Sequence, residues 1–188
     1  MANLIDGKNI AKKVSAEVLQ GSEALVGKFG EEARPNMTLI VVGNDPVSRK
    51  LVAMKANDCE AAGITPTVIS LSESTPEEKL LRMIDRLNRD EDVKAILCQL
   101  PLPEHISTKK VLAAIAPEKD VDGFHPVNVG RMAIGLPCFI SATPLGIMTL
   151  LKRYNIPTSG KKCVVLGRSN IVGKPMAQLM MQKRLKKT

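Results

Sequence analysis

Apolar positions change period along this chain, and the changes mark out its elements. Between residues 8 and 29, Ile10, Val14, Val18 and Leu25 recur at helical spacing. Met37-Thr38-Leu39-Ile40-Val41-Val42 is then a nearly unbroken apolar run closed by Gly43, which predicts a buried strand. Helical residues return from Val47 to Ala62 and stop at Gly63, a capping glycine. Thr67 to Leu71 predicts a second short strand. Ser74-Thr75-Pro76-Glu77-Glu78 predicts a helix start, with a hydroxyl cap, an early proline and acids in the first turn. That helix carries Leu80, Leu81, Ile84 and Leu87. Ala95-Ile96-Leu97-Cys98 predicts a third strand running into Gln99-Leu100-Pro101-Leu102-Pro103, and a further helix is predicted from Thr108 to Ala116.

Alternating strands and helices imply a parallel sheet with crossover helices, an α/β fold. Ligands in such folds gather at the carboxyl ends of the strands. That rule points to residues 43–48, to residues 99–103, and to the loop Pro117-Glu118-Lys119-Asp120-Val121-Asp122-Gly123-Phe124-His125. A second unit opens near Thr143-Pro144-Leu145-Gly146, with Thr143 placed to cap a helix that runs to about Tyr154. Lys161 to Gly167 predicts a strand. Gly167-Arg168-Ser169-Asn170-Ile171-Val172-Gly173-Lys174-Pro175 then leads into a helix at Met176–Met180. A helix N-terminus after such a turn offers free amide hydrogens to a phosphate, and Arg168 could add a bidentate contact. The two glycines are six residues apart, not in the G-x-G-x-x-G arrangement, so the turn alone also fits a plain strand–helix connection. The expected division is residues 1–140 and 141–188.

Composition narrows the function. The chain has 188 residues, 44% apolar and 24% charged, as an ordinary globular protein does. No window approaches the length of a membrane span, and the N-terminus has no signal-peptide core. The expected compartment is therefore cytoplasmic, with no membrane partner. Four of the eight net positive charges lie in Lys183-Arg184-Leu185-Lys186-Lys187-Thr188, which reads as a solvated end. With aromatics at 2% and no Trp, nucleic acid is not the expected partner. Cys59, Cys98, Cys138 and Cys163 lack metal-ligand spacing and read as buried small hydrophobes. His105 and His125 read as structural.

Five segments in order carry more than any one of them. Asp45-Pro46-Val47-Ser48 with Lys55 a helix further on, Gln99-Leu100-Pro101-Leu102-Pro103, the 117–124 loop, Thr143-Pro144-Leu145-Gly146 and the 167–175 turn together resemble the bifunctional methylenetetrahydrofolate dehydrogenase/methenyltetrahydrofolate cyclohydrolase family. The resemblance covers essentially residues 1 to 183. It implies a folate-binding catalytic domain, then a Rossmann-like NADP domain, with the site between them, and a homodimer. The implied chemistry belongs to one-carbon metabolism and supplies purine biosynthesis. Hydride passes from 5,10-methylenetetrahydrofolate to NADP, and water then opens the methenyl product to 10-formyltetrahydrofolate.

By the same resemblance, Lys55 is the catalytic lysine, Gln99 holds it, and Asp122 holds the amide and amino edge of the pterin. Leu51, Cys98, Leu100 and Pro101 join these three around the substrate. Gly167, Arg168, Ser169 and Gly173 would contact NADP, and no metal is implied. The chain departs from the pattern twice. Leu51 stands where the family has a tyrosine, one helical turn before the lysine, with Arg49 and Lys50 just ahead of it. The Rossmann-like unit also stops after its first strand–turn–helix, so the chain is expected to be truncated, and Arg184 to Thr188 no longer match. A catalytically impaired, folate-binding or dimerising remnant is the alternative reading.

Overall fold

A computed structural model describes residues 4–182. The expected basic end, residues 183–188, lies outside the described residues. The chain begins with a long helix, α1 (Gly7–Phe29), whose N-terminus is capped by the Asp6 carboxylate accepting from the Asn9 amide at 2.9 Å. Three parallel strands follow, β1 (Asn36–Val42), β2 (Thr65–Leu71) and β3 (Ile96–Cys98), with the order β2-β1-β3. The crossovers are α2 (Pro46–Ala61) and α3 (Glu77–Arg89). β1 is central, pairing Asn36 with Thr65 through Val42 with Leu71 on one side and Thr38–Ile40 with Ile96–Cys98 on the other.

The unbroken apolar run of β1 has a direct cause. Leu39 and Val41 face one way, against Val52 of α2 and Leu97. Ile40 and Val42 face the other way, against Leu80 and Ile84 of α3, and against Val111 of α4 (Thr108–Ala114) and Ile115. A strand covered on both faces needs apolar residues at every position, not at alternate ones. Each such side chain contributes roughly 1.5–3 kcal/mol when fully buried. Leu39, Ile40, Leu80 and Ile84 are all fully buried.

Beyond the sheet lie α5 (Pro126–Ala133), α6 (Ala142–Arg153) and α7 (Gly173–Met181). The sequence pattern gave no sign of α5. Its first turn is Pro126, and the His125 imidazole Nδ1 accepts from the Val127 amide at 3.1 Å, a cap rarely made by histidine. Helix capping differs from expectation at two other places. Ser74 and Thr75 do not cap α3, which starts after Pro76, and Ser141 rather than Thr143 occupies the cap position of α6. α1 and α6 are tied by Arg153 to Glu17 at 2.5 Å and by the Asp6 amide donating to the Tyr154 hydroxyl at 2.7 Å.

The predicted strand at 161–167 is not formed. Residues 161–169 have no strand structure and pair with nothing in the three-stranded sheet. A β-ladder needs a neighbour to satisfy its amides, and none of the described residues supplies one. Val164 is 75% and Leu166 is 96% exposed. After residue 160, only the glycine turn and α7 take regular form among the described residues. No helix among the described residues is long and apolar enough to cross a membrane.

Candidate functional site

The strand order marks the place for a ligand where the chain reverses its direction of travel. From β1 it moves outward to β2, then returns past β1 to β3. In parallel sheets a ligand crevice opens at the carboxyl ends of the two strands flanking such a reversal. Here those strands are β1 and β3. Gln99 directly follows β3, and its backbone amide still donates to the Ile40 carbonyl at 2.8 Å, which extends the ladder by one bond. α2 leaves from the end of β1, capped by Asp45 accepting from the Ser48 amide at 2.7 Å. Three turns along it, Lys55 Nζ donates to Gln99 Oε1 at 3.0 Å.

Gln99 is fixed from its other end as well. Its Nε2 donates to the Leu100 carbonyl at 2.6 Å, and the residue is 8% exposed. The Leu100–Pro101 bond is cis. With both polar atoms committed, the amide cannot flip, and its oxygen stays turned to the ammonium. Lys55 is half-buried.

Asp122 arrives from the 117–125 loop, which is fastened on several sides. Lys119 Nζ donates to the carbonyls of Leu87 at 2.9 Å, Asn88 at 2.8 Å and Asp90 at 2.7 Å, closing the C-terminus of α3. Asp120, 1% exposed, accepts from the His125 amide at 2.8 Å and from Asn128 Nδ2 at 2.9 Å. It also forms an isolated parallel bridge with Ile96. Gly123 adopts φ +66°, and a Cβ there would lie 2.7 Å from the Phe139 carbonyl oxygen. Only glycine fits both the left-handed conformation and that approach.

The electrostatics follow from this placement. Burial pushes the Asp122 carboxyl above the usual aspartate range, the Lys55 ammonium pulls it back, and the Asp120 charge pushes it further up. Cys98, at the end of β3, is buried, and its thiol is pushed up to about 12 by burial and then by the Asp122 charge. Cys98 is therefore inert lining rather than a nucleophile. Lys55, Gln99 and Asp122 together make an ammonium held by an amide oxygen, beside a carboxyl that keeps its proton more readily than an exposed aspartate does. That set can hold a polar heterocycle edge and move a proton.

Other expected residues fall less uniformly. Leu51 lies on α2 one turn before Lys55 and is 40% exposed. Arg49 turns away to Asn44 Oδ1 at 2.7 Å. His105 Nε2 meets the Thr75 carbonyl at 2.9 Å, so both histidines have structural partners. Cys59 and Cys98 are buried, but Cys138 is only partly so and Cys163 is exposed, which corrects the expectation for those two. Cys163 is exposed because its segment never became a strand.

In the second unit, a Cβ on Gly173 would overlap the Gly167 carbonyl, so the turn closes on itself through two glycines. The expected free amides at the start of α7 are not free. Ser169 Oγ accepts from the Val172 amide at 3.1 Å and from the Gly173 amide at 3.3 Å. The serine hydroxyl, rather than the helix N-terminus, is what the turn presents, with Arg168 exposed beside it. Sequence reasoning missed Asp120 and Asn128. The signal for them was an acid two residues before Asp122 in a loop with apolar Val121 and Phe124.

Residues 5–122 match the family described as tetrahydrofolate dehydrogenase/cyclohydrolase, catalytic domain. The chain belongs to the tetrahydrofolate dehydrogenase/cyclohydrolase family. Residues 141–188 match the same family's NAD(P)-binding domain. The bifunctional protein FolD of Bacteroides thetaiotaomicron is 55% identical over 180 residues, which are 96% of this chain and 61% of that protein. The bifunctional protein FolD of Porphyromonas gingivalis is 51% identical, over 96% of this chain and 60% of that protein.

Solved structures of the family agree in fold. The bifunctional FolD enzyme of Campylobacter jejuni superposes with a TM-score of 0.92 at 44% identity, covering 95% of this chain and 63% of that one. The Trypanosoma brucei enzyme, solved with NADP cofactor and an inhibitor, gives 0.89 at 35% identity, over 95% of this chain and 61% of that one. This member of the tetrahydrofolate dehydrogenase/cyclohydrolase family thus spans about three fifths of the length of its relatives.

Proposed function

We propose that Lys55, Gln99 and Asp122 form a site for tetrahydrofolate derivatives, lined by Leu51, Cys98, Leu100 and Pro101. The observation that carries this is the Lys55 Nζ to Gln99 Oε1 bond of 3.0 Å at the crevice between β1 and β3. In this reading Asp122 accepts from the amide and amino edge of the pterin. Lys55 handles the proton that leaves or enters beside the one-carbon bridge, and Gln99 keeps its ammonium aimed there. The reaction is that of the family: oxidation of 5,10-methylenetetrahydrofolate, then hydrolysis of the methenyl product to 10-formyltetrahydrofolate, a donor of the kind that purine biosynthesis consumes.

NADP is the proposed oxidant. Gly167 and Gly173 let backbone approach closely, while Arg168 and the Ser169 hydroxyl would hold a phosphate. Bound there, the cofactor accepts a hydride. The division at 140/141 is supported by the two family matches, residues 5–122 and 141–188. A cytoplasmic homodimer is the working assembly.

One observation favours a narrower role for the chain as it stands. Residues 161–169 join no sheet among the described residues, where the nucleotide unit has its turn and helix alone. Folate binding therefore precedes turnover as the test. Calorimetry with 5-formyltetrahydrofolate, a stable reduced folate, should show binding to this chain. Lys55→Met should weaken it at least about tenfold, or 1.4 kcal/mol. A folded chain with no measurable binding overturns the proposal.

A further inference from the structure

Asp120 is the most enclosed acid in the molecule, and the reaction as proposed above gives it no task. It is 1% exposed, and Asn128, its partner, is 1% exposed as well. Burying a carboxylate costs several kcal/mol unless it is paired or well hydrogen-bonded. No lysine or arginine bridges to Asp120 among the described ion pairs. Its hydrogen-bond partners are the His125 amide at 2.8 Å and Asn128 Nδ2 at 2.9 Å, both on its Oδ2. Asn128 Nδ2 also donates to the Pro117 carbonyl at 2.8 Å. One side-chain amide therefore joins the start of the loop, at Pro117, to its buried acid.

These bonds close a ring. Pro117 opens the loop, Asp120 lies near its middle, and His125 and Asn128 stand at the start of α5. Asp122 lies inside the ring, two residues past Asp120. On its far side Gly123 abuts the backbone of Phe139, Ile140 and Ser141. The charged groups bearing on Asp122 are Lys55 from α2 and Asp120 from its own loop, with the Cys98 thiol at the end of β3 on the third side.

We propose that Asp120, braced by Asn128, is a positioning residue that aims the Asp122 carboxyl at the Lys55–Gln99 pair. The inference rests on the folate reading above and deepens it. The ring does two things. It holds the backbone at 120–125 in one geometry, so Asp122 is presented to the pterin without an ordering cost. It also keeps a second negative charge close to Asp122, which raises that carboxyl's hold on a proton and so marks the pairing in a titration, separately from folate affinity. A fold-stabilising acid alone would do neither selectively.

The test is a double-mutant cycle. Asp120→Ala removes the acceptor of both bonds and the charge, while Asn128→Ser removes the brace and leaves the charge. With 5-formyltetrahydrofolate as probe, the first should weaken binding about tenfold and the second about threefold. In an Asp122→Asn background both effects should disappear, because there is no longer a carboxyl to aim. Equal losses in that background, or wild-type affinity in both single variants, overturn the proposal. Should Asp120→Ala not fold, Asn128→Ser carries the cycle alone.

A second readout is independent of folate. The side-chain carboxyl of Asp122, followed by carbon NMR through a pH titration, should shift its midpoint downward when a nearby charge is removed in Asp120→Ala. In Asn128→Ser, where the charge stays but its place is no longer fixed, the midpoint should also move. Unmoved midpoints in both variants overturn the proposal even where no folate binds. Absence of binding by the wild-type chain overturns the folate reading instead, so the two failures are distinguishable.

Discussion

Leu51 is one helical turn from Lys55 on the same face of α2, where the family resemblance places a tyrosine. Leucine can pack against a pterin but can neither donate nor accept a proton. A positioned hydrogen-bonding partner contributes about 10²–10⁴-fold in rate. In a chain completed with a full nucleotide domain, Leu51→Tyr should raise methenyl hydrolysis by at least about tenfold, followed by absorbance, with Lys55→Met as the inactive control. Equal rates for leucine and tyrosine would reduce residue 51 to packing. Asp122 gives a second expectation. Its carboxyl is raised in the folded state, chiefly by burial, so the folded protein binds that proton more tightly than the unfolded chain does. The associated stability is present at acid pH and lost as pH rises from the ordinary aspartate range through the raised value. Asp122→Asn removes that loss. Urea midpoints should favour the asparagine variant at neutral pH, with the difference shrinking as pH falls below the ordinary range. A gain that grows toward acid pH would contradict the sign.

At the level of elements, the sheet and its crossover helices were legible because their signals are dense. Met37 to Val42 is apolar at almost every position, and Gly43 and Gly63 punctuate it and α2. α5 was not legible, being eight residues long with a glycine inside it and an imidazole for a cap. The 161–167 run failed for another reason. Its residues suit a strand, but pairing is a property of two segments, and composition reports only one. Amide hydrogen exchange should show this directly, with residues 162–168 exchanging fast and residues 37–42 protected. Protection of both alike would mean that the segment does pair in solution. The loop that carries Asp122 also yields a prediction. Gly123→Ala adds a Cβ at φ +66° and 2.7 Å from the Phe139 carbonyl oxygen. It should cost about 1–3 kcal/mol in urea unfolding, and folate affinity should fall with it. The candidate site was legible in Lys55, Gln99 and Asp122 only as a family resemblance, since their spacing in sequence says nothing of a shared crevice. Asp120 and Asn128 escaped even that reading, because their partners are each other and backbone groups of the same loop.

Across the whole molecule, the two units differ in completeness. The first has a three-stranded sheet whose central strand is covered on both faces, and it carries all the proposed substrate residues. The second has α6, α7 and a turn beside an open apolar groove of about 560 Å³ edged by Val164, Leu166 and Met176. Nucleotide affinity should therefore suffer more than folate affinity. Calorimetry on this chain should find NADP at least about tenfold weaker than 5-formyltetrahydrofolate. NADP binding as tight as the folate's would show that the Gly167–Gly173 turn suffices by itself.

The bare stretch from Cys163 to Leu166 also bears on how the protein keeps. Val164 and Leu166 project into water from a backbone with open amides and carbonyls, which is the template on which a stray strand from another molecule can grow. Loss on storage should then rise with concentration, because two molecules must meet there. Dilution should therefore preserve the protein, and a single charge in place of Leu166 should lengthen its shelf life at high concentration.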